Sequence, residues 1–263
     1  MENQLLFNNK VALVTGSSRG IGKGIALHLA HLGANLVINY FRNRDPAEET
    51  ANAIRSIGRQ AFVVRANVGE IEQIDKLFNN INQEFGHLDI FINNAASGYN
   101  RPALQQRPKG WDWTMDINAR AFLFAVQKAV PLMEKVGGGH VVAITSPGGE
   151  RVLSDYIVVG ASKAALNSLV RYLAVELAEK NIIVNAVSPG VVETEIMQHF
   201  SAFKKQGILE KIKAITPASR LVTPKDIAKV VAFLCTPDAE MIRGQIIQVD
   251  GGICLPLNTS GAE

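Results

Sequence analysis

The segment Val11-Ala12-Leu13-Val14-Thr15-Gly16-Ser17-Ser18-Arg19-Gly20-Ile21-Gly22 passes from a short β-favouring apolar run, through closely spaced glycines, into the helical periodicity of Ile21 to Leu32, which stops at Gly33. The same change of period recurs along the chain. Leu36 to Ile38, Phe62 to Val64, Leu88 to Ile92, Val141 to Ile144, Ile182 to Val187 and Ile246 to Val249 read as further strands. Helical patterns fall between them: Pro46 to Ile57, Ile71 to Phe85, a long stretch from about Trp111 to Val136, Ser154 to Glu179, and Pro224 to about Leu234. Strands alternating with helices call for right-handed crossovers and a parallel sheet, and the nearly continuous apolar strands call for helices on both faces. The expectation is one α/β domain over residues 1–263, a doubly wound parallel sheet of seven strands. Residues 195–216 break the rhythm and carry Phe200, Phe203, Ile208, Leu209 and Ile212. They are expected to form a small helical lid over a site.

Composition narrows the function classes. Hydrophobic residues make up 47% and charged residues 19% of the 263 positions, against about 25% charged in an average soluble domain. A disordered chain is excluded, and the low charge is consistent with surface buried between subunits. The formal net charge of +3 is far from that of a dedicated nucleic-acid binder. Cys235 and Cys254 lack metal-ligand spacing and read as reduced thiols of a cytoplasmic protein. Met1 to Lys10 is not read as a signal peptide, and no apolar run is long enough for a membrane span.

Glycines at 16, 20 and 22 let the backbone turn tightly against a pyrophosphate, and the helix that follows offers unpaired N–H groups and the positive end of its dipole. The position between a first strand and a first helix is the context that a dinucleotide site demands. The turn Thr-Gly-x-x-x-Gly-x-Gly resembles that of the short-chain dehydrogenase/reductase superfamily. Asn93-Asn94-Ala95-Ala96 is similar to the family's Asn-Asn-Ala-Gly, with Ala96 in place of the last glycine. Pro189-Gly190-Val191 with Thr194 resembles its nicotinamide-side loop, and Asp250-Gly251-Gly252 its C-terminal signature. The resemblance spans Lys10 to about Ile253. It implies a Rossmann fold, with Gly16, Ser18, Arg19, Gly20, Ile21, Gly22, Asn67, Val68, Asn94, Ala95, Lys163, Pro189, Gly190, Val191 and Thr194 around the cofactor.

Charge selects the cofactor. A site for NAD ordinarily ends its second strand with an acid on the ribose 2′-hydroxyl, whereas a 2′-phosphate needs arginine. Residues 35–44 read Asn-Leu-Val-Ile-Asn-Tyr-Phe-Arg-Asn-Arg and hold no acid. Arg42, with Arg44 in reserve and Arg19 from the glycine turn, points to NADPH.

The superfamily commonly pairs its catalytic Lys with a Tyr four residues earlier. Gly160-Ala161-Ser162-Lys163 identifies Lys163, but Val159 occupies the Tyr position and the nearest Tyr is Tyr156, seven residues before the Lys. If the helix includes residue 156, the two share a face, with Tyr156 about 4.5 Å further along the axis than the usual Tyr. In carbonyl reduction hydride goes to the carbonyl carbon, and the acid must protonate the oxygen on that same carbon. Reduction of an α,β-unsaturated thioester develops charge on an oxygen two carbons from that centre, which suits a displaced donor. The seven-residue spacing is similar to that of enoyl-acyl-carrier-protein reductases. Residues 93–98, Trp111-Asp112-Trp113-Thr114-Met115, 133–140 and Met241-Ile242-Arg243-Gly244-Gln245 resemble the third, NADPH-dependent bacterial type.

That resemblance implies that Tyr156 stabilises the enolate. Lys163 would hold the nicotinamide ribose and lower the phenol pKa, and Asn118 would help order a relay water. Ser146 stands where carbonyl-reducing relatives have their catalytic Ser, and bonds either the substrate or only the backbone. The implied substrate is an enoyl thioester on acyl carrier protein or coenzyme A, and the implied assembly a homotetramer. No metal, nucleic-acid or membrane role is expected. Lys204, Lys205, Lys211 and Lys213 are either a solvated face or a docking site for the acidic carrier protein. Trp111 and Trp113 are read as packing residues. A carbonyl (3-oxoacyl) reductase, favoured by Ser146 and Asn118, and a non-catalytic NADPH-binding protein are the competing readings.

Overall fold

The computed structural model describes residues 5–193 and 207–255. A seven-stranded, all-parallel sheet lies at its centre, in the order β3-β2-β1-β4-β5-β6-β7. The strands are β1 (Val11–Val14), β2 (Asn35–Tyr40), β3 (Ala61–Arg65), β4 (Ile90–Asn93), β5 (Gly139–Ile144), β6 (Ile182–Pro189) and β7 (Ile246–Val249). The helices are α1 (Gly20–His31), α2 (Asp45–Ser56), α3 (Ile71–Glu84), α4 (Pro108–Met115), α5 (Ala121–Glu134), α6 (Ile157–Glu176), α7 (Ile208–Ile215) and α8 (Pro224–Leu234). The expected single α/β fold is therefore present, with each strand within a few residues of its apolar run.

Side chains alternate across each strand, so β1 feeds two cores. Leu13 faces Phe91, Val141 and Val184, covered by Ile74 and Phe78 of α3, Phe122 of α5 and Val170 of α6. Ala12 and Val14 face the opposite side with Ile38, Ile92 and Val187, under Ile25 and Leu29 of α1, Ile54 of α2 and Val231 of α8. Helix α1 lies so close to α8 that a Cβ on Gly24 would stand 2.7 Å from Pro224 Cβ. Successive strands step one way from β1 to β3 and the other way from β4 onward. The crevice beyond the carboxyl ends of β1 and β4 is thus the topological switch point where such sheets bind ligands.

Two helices differ from expectation. The stretch from 108 to 134 is interrupted by a π-helical turn, Asp116–Arg120, between α4 and α5. Helix α6 starts at Ile157, not Ser154. Asp155 adopts a left-handed φ of 59°, which no helix can contain, and Tyr156 becomes the N-cap. Of the expected lid, α7 lies among the described residues. Thr194, Phe200, Phe203, Lys204 and Lys205 lie outside them.

Candidate active site

The glycine turn is built as an anion cradle. Gly16 and Gly20 have φ of 62° and 57°, a region open to glycine at no steric cost. A Cβ on Gly22 would fall 2.5 Å from both Asn94 Nδ2 and Gly16 O, so α1 can begin here only with glycine. The N-cap Arg19 makes no side-chain cap bond, and the first turn holds no acid. Helix α8, by contrast, is closed by a full capping box of Thr223 and Asp226. An uncapped first turn leaves N–H groups and the dipole's positive end for a pyrophosphate, so these residues fit a dinucleotide.

Buried polar side chains fix the cradle. Thr15 Oγ1 accepts from the N–H groups of Asn94 at 2.9 Å and Ala95 at 3.0 Å. Asn94 Nδ2 donates to Thr15 O and Gly16 O at 2.9 and 3.2 Å. Asn39 Oδ1 accepts from Gly16 N at 3.2 Å, while its Nδ2 donates to Ala66 O at 3.2 Å. Sequence reasoning gave no role to the side chains of Thr15 and Asn39. The one signal available was a polar residue directly after each apolar strand run. Asn94 and Ala95 stand beside the turn, where Asn94 acts as a brace.

The arginines differ in their partners. Arg44 is engaged by Glu48, with Nε and Nη2 at 3.2 and 3.0 Å from Oε1. Arg42 and Arg19 are exposed and appear in no ion pair among the described residues; the Arg42 guanidinium lies 5.7 Å from the Phe41 ring centroid. Arg44 is thus the least available of the three. Asn67 and Val68 are buried. The Asn67 side chain donates to Glu70 Oε1 at 2.7 Å and accepts from Gly69 N at 3.1 Å. Gly190 presses on Asp250, to which a Cβ would approach within 2.8 Å of Cα. The Asp250 carboxylate in turn accepts from Gly252 and Cys254 N–H groups. The C-terminal signature therefore buttresses the Pro189-Gly190-Val191 loop.

Across the crevice, Lys163 is buried, and its Nζ donates to Ile144 O at 2.8 Å, at the carboxyl end of β5. Burial lowers its pKa to about 8. Tyr156 OH makes a long 3.5 Å contact with Ser146 Oγ, which also accepts from Gly148 N at 3.2 Å. Ser146 thus bonds both the backbone and the tyrosine. The expectation that Lys163 lowers the phenol pKa is not met. Burial pushes the Tyr156 phenol up and outweighs the smaller opposing effect of the Ser146 bond.

Pro147-Gly148-Gly149 explains how Tyr156 reaches this position from outside the helix. A Cβ on Gly148 would lie 2.6 Å from Tyr156 Cδ1 and Cε1, and one on Gly149 would lie 3.0 Å from Lys163 C. The turn is flat, so the tyrosine ring and α6 rest directly on it. Val159 turns elsewhere: its Cγ2 would be 2.3 Å from a Cβ on Gly98.

Asn118, in the π-helical turn, is fully buried. Its Oδ1 accepts from Ser97 N at 2.8 Å, and its Nδ2 donates to Ser97 O at 2.8 Å and Ser162 Oγ at 2.9 Å. It clamps the segment after β4 to α6, and its side chain bonds neither Lys163 nor Tyr156. Trp113 Nε1 donates to Ser97 Oγ at 2.9 Å, so this tryptophan has a polar role beside its packing. Among the described residues no group of three metal-ligating side chains occurs, and no helix is long and apolar enough to cross a membrane.

Residues 16–254 match the family model described as Enoyl-(Acyl carrier protein) reductase. The 1-cyclohexenylcarbonyl-CoA reductase of Streptomyces collinus is 37% identical over 97% of this chain and 90% of its own length. Among solved structures, a 7α-hydroxysteroid dehydrogenase complexed with NADH and 7-oxoglycochenodeoxycholic acid is 34% identical, with a TM-score of 0.90 over 96% of this chain and 97% of that one. The angucycline C-6 ketoreductase LanV with bound NADP is 32% identical, with a TM-score of 0.87 over 95% of this chain and 98% of that one.

Proposed function

The chain belongs to the short-chain dehydrogenase/reductase superfamily and is an oxidoreductase of that type, and from this premise we propose that it reduces the C2–C3 double bond of an enoyl thioester with NADPH. The observation that carries the proposal is the position of Tyr156. It stands seven residues before Lys163, off the end of α6, while Val159 at the usual site packs on Gly98. The relative from Streptomyces collinus, whose name is that of an unsaturated acyl-CoA reductase, supports the same chemistry.

When bound, NADPH supplies the hydride that the substrate accepts at C3. The uncapped turn of α1 and the glycines at 16, 20 and 22 hold its pyrophosphate. Arg42 and Arg19 meet the 2′-phosphate with charge-assisted hydrogen bonds. Asn67, Val68, Pro189, Gly190, Val191 and Thr194 complete the proposed cofactor set. Lys163, with one N–H on Ile144 O, directs the others to the ribose hydroxyls. Tyr156 donates a hydrogen bond to the thioester carbonyl oxygen, where negative charge grows as C3 is reduced, and the enolate becomes product by taking a proton from water at C2. A phenol held above its ordinary pKa by burial stays protonated, which suits a donor rather than a base. Asn118 keeps the segment after β4 in register with α6, and its place in a π-helical turn fits a functional position.

Ser146 favours a second reading, reduction of a 3-oxoacyl carbonyl, because its hydroxyl faces that of Tyr156. Deuterium transfer separates the two. With [4-²H]NADPH and a crotonyl thioester, the proposal requires butyryl product labelled at C3, and Tyr156→Phe should lower its rate by about 10²–10³-fold. Label found only at the carbinol carbon of a 3-hydroxyacyl product from acetoacetyl thioester would replace it. A homotetramer remains part of the proposal, supported by the exposed Tyr172 and Val175 of α6 and Met241 before β7.

A further inference from the structure

Beside the cofactor crevice, a cavity of about 550 Å³ opens between the segment after β4 and the start of α4. Tyr99 and Trp113 give it aromatic walls, and Arg101, Arg107 and Lys109 give it three cations. Two acids, Asp112 and Asp116, also line it; Asp116 is taken by Arg120 at 3.1 Å. None of the three cations enters an ion pair among the described residues. The Arg101 guanidinium lies 5.2 Å from the Tyr99 ring centroid. The Tyr99 hydroxyl is buried over Gly110 and has no hydrogen-bond partner among the described residues. Three cations against Asp112, the one acid of the lining not held by Arg120, leave the cavity net positive, which favours an anion.

The cavity is coupled to the catalytic residues. Arg101 N donates to Asp155 O at 2.8 Å, and Asp155 precedes Tyr156. Trp113 holds Ser97, which Asn118 clamps to α6.

We propose that this cavity receives the phosphate end of the pantetheine arm that carries the thioester, an inference that rests on the enoyl-thioester reading above. The arm itself is neutral, and its first charge away from the thioester is a phosphate. Acyl carrier protein and coenzyme A share that phosphate, so the chemistry is common to both carriers. Arg101 and Arg107 offer planar donors to phosphate oxygens, and Lys109 adds a third positive charge.

The test needs no turnover. With NADPH saturating the glycine turn, 4′-phosphopantetheine, pantetheine, coenzyme A, and holo- and apo-acyl carrier protein are titrated by calorimetry. The phosphorylated arm should bind at least about tenfold tighter than pantetheine, the value of one charge-assisted hydrogen bond. Arg107→Glu with Lys109→Glu should erase that preference, and the gentler Arg107→Gln with Lys109→Gln should reduce it. Tightest binding of coenzyme A supports the cavity with a nucleotide carrier, and preference for holo- over apo-carrier protein supports it with a protein carrier. Equal binding of pantetheine with and without its phosphate overturns the proposal. So does a phosphate preference that survives in the folded double-Glu variant. A phosphate preference in a protein that fails to reduce crotonyl thioester supports the cavity and refutes the reaction reading alone.

Discussion

Gly148→Ala tests whether Tyr156 must stand where the structure holds it. The added methyl would lie 2.6 Å from Tyr156 Cδ1 and Cε1, whereas carbon atoms pack at about 3.5 Å. The ring must therefore move by about 0.9 Å. The turn beneath it is tied down, because Gly148 N donates to Ser146 Oγ and Gly149 N to Ser146 O. The ring is free at its hydroxyl end, where the only partner among the described residues is the long Ser146 contact. The strain therefore displaces the tyrosine, at an overpacking cost of about 1–3 kcal/mol in stability. A misplacement near 1 Å costs about 10²-fold in rate. The assay is kcat/KM for a crotonyl thioester, beside the NADPH Kd from nucleotide fluorescence and the thermal midpoint. A drop of about 30- to 100-fold with cofactor affinity intact is expected. A folded variant within threefold of the parent rate would refute the assigned position of the hydroxyl.

Further outcomes follow from the same geometry. Lys163 is charged below its pKa of about 8 and neutral above it, so kcat/KM for NADPH should fall above pH 8, whereas a lysine at its ordinary value would hold activity past pH 10. A profile flat to pH 10 would remove Lys163's ammonium from cofactor capture. Arg42→Ala together with Arg19→Ala should raise KM for NADPH by about 10–100-fold, from the loss of bonds to a charged group, and leave KM for NADH nearly unchanged. Equal effects on both cofactors would exclude a 2′-phosphate contact. Thr223→Ala opens the capping box of α8 and should cost about 1 kcal/mol, seen as a thermal midpoint about 2–4 °C lower. An unchanged midpoint would mean that the Thr223 and Asp226 bonds add nothing to the fold.

The fold was legible because its signals are local. Apolar runs such as Val11–Val14 and Ile246–Val249 carry the strand period, and Gly33, Gly58 and Gly86, all at positive φ, mark where α1, α2 and α3 stop. Lys163 and the glycine turn were equally plain, since each is set by neighbours in sequence. The start of α6 was not. Ser154 and Asp155 read as an ordinary helix entry, but Asp155, whose O accepts from Arg101 N, is left-handed, a conformation that only the tertiary structure reveals. The π-helical turn at Asp116–Arg120 has no periodic signature, because five residues are too few to display one. The braces on the cradle were hidden for a different reason. Thr15 meets Asn94 across 79 positions, and Asn39 meets Gly16 across 23, so the pairing exists only once β1, β2 and β4 are adjacent. Pro147-Gly148-Gly149 looked out of place as sequence, and its purpose became visible only with the ring of Tyr156 resting on it.

The central claim is that a tyrosine seven residues before the lysine serves a double bond and not a carbonyl. Equal concentrations of crotonyl and acetoacetyl thioesters, offered together to the enzyme with NADPH and resolved by mass spectrometry, test it most directly. Butyryl thioester is expected as the dominant product. Dominant 3-hydroxybutyryl thioester, with crotonyl thioester recovered intact, would contradict it.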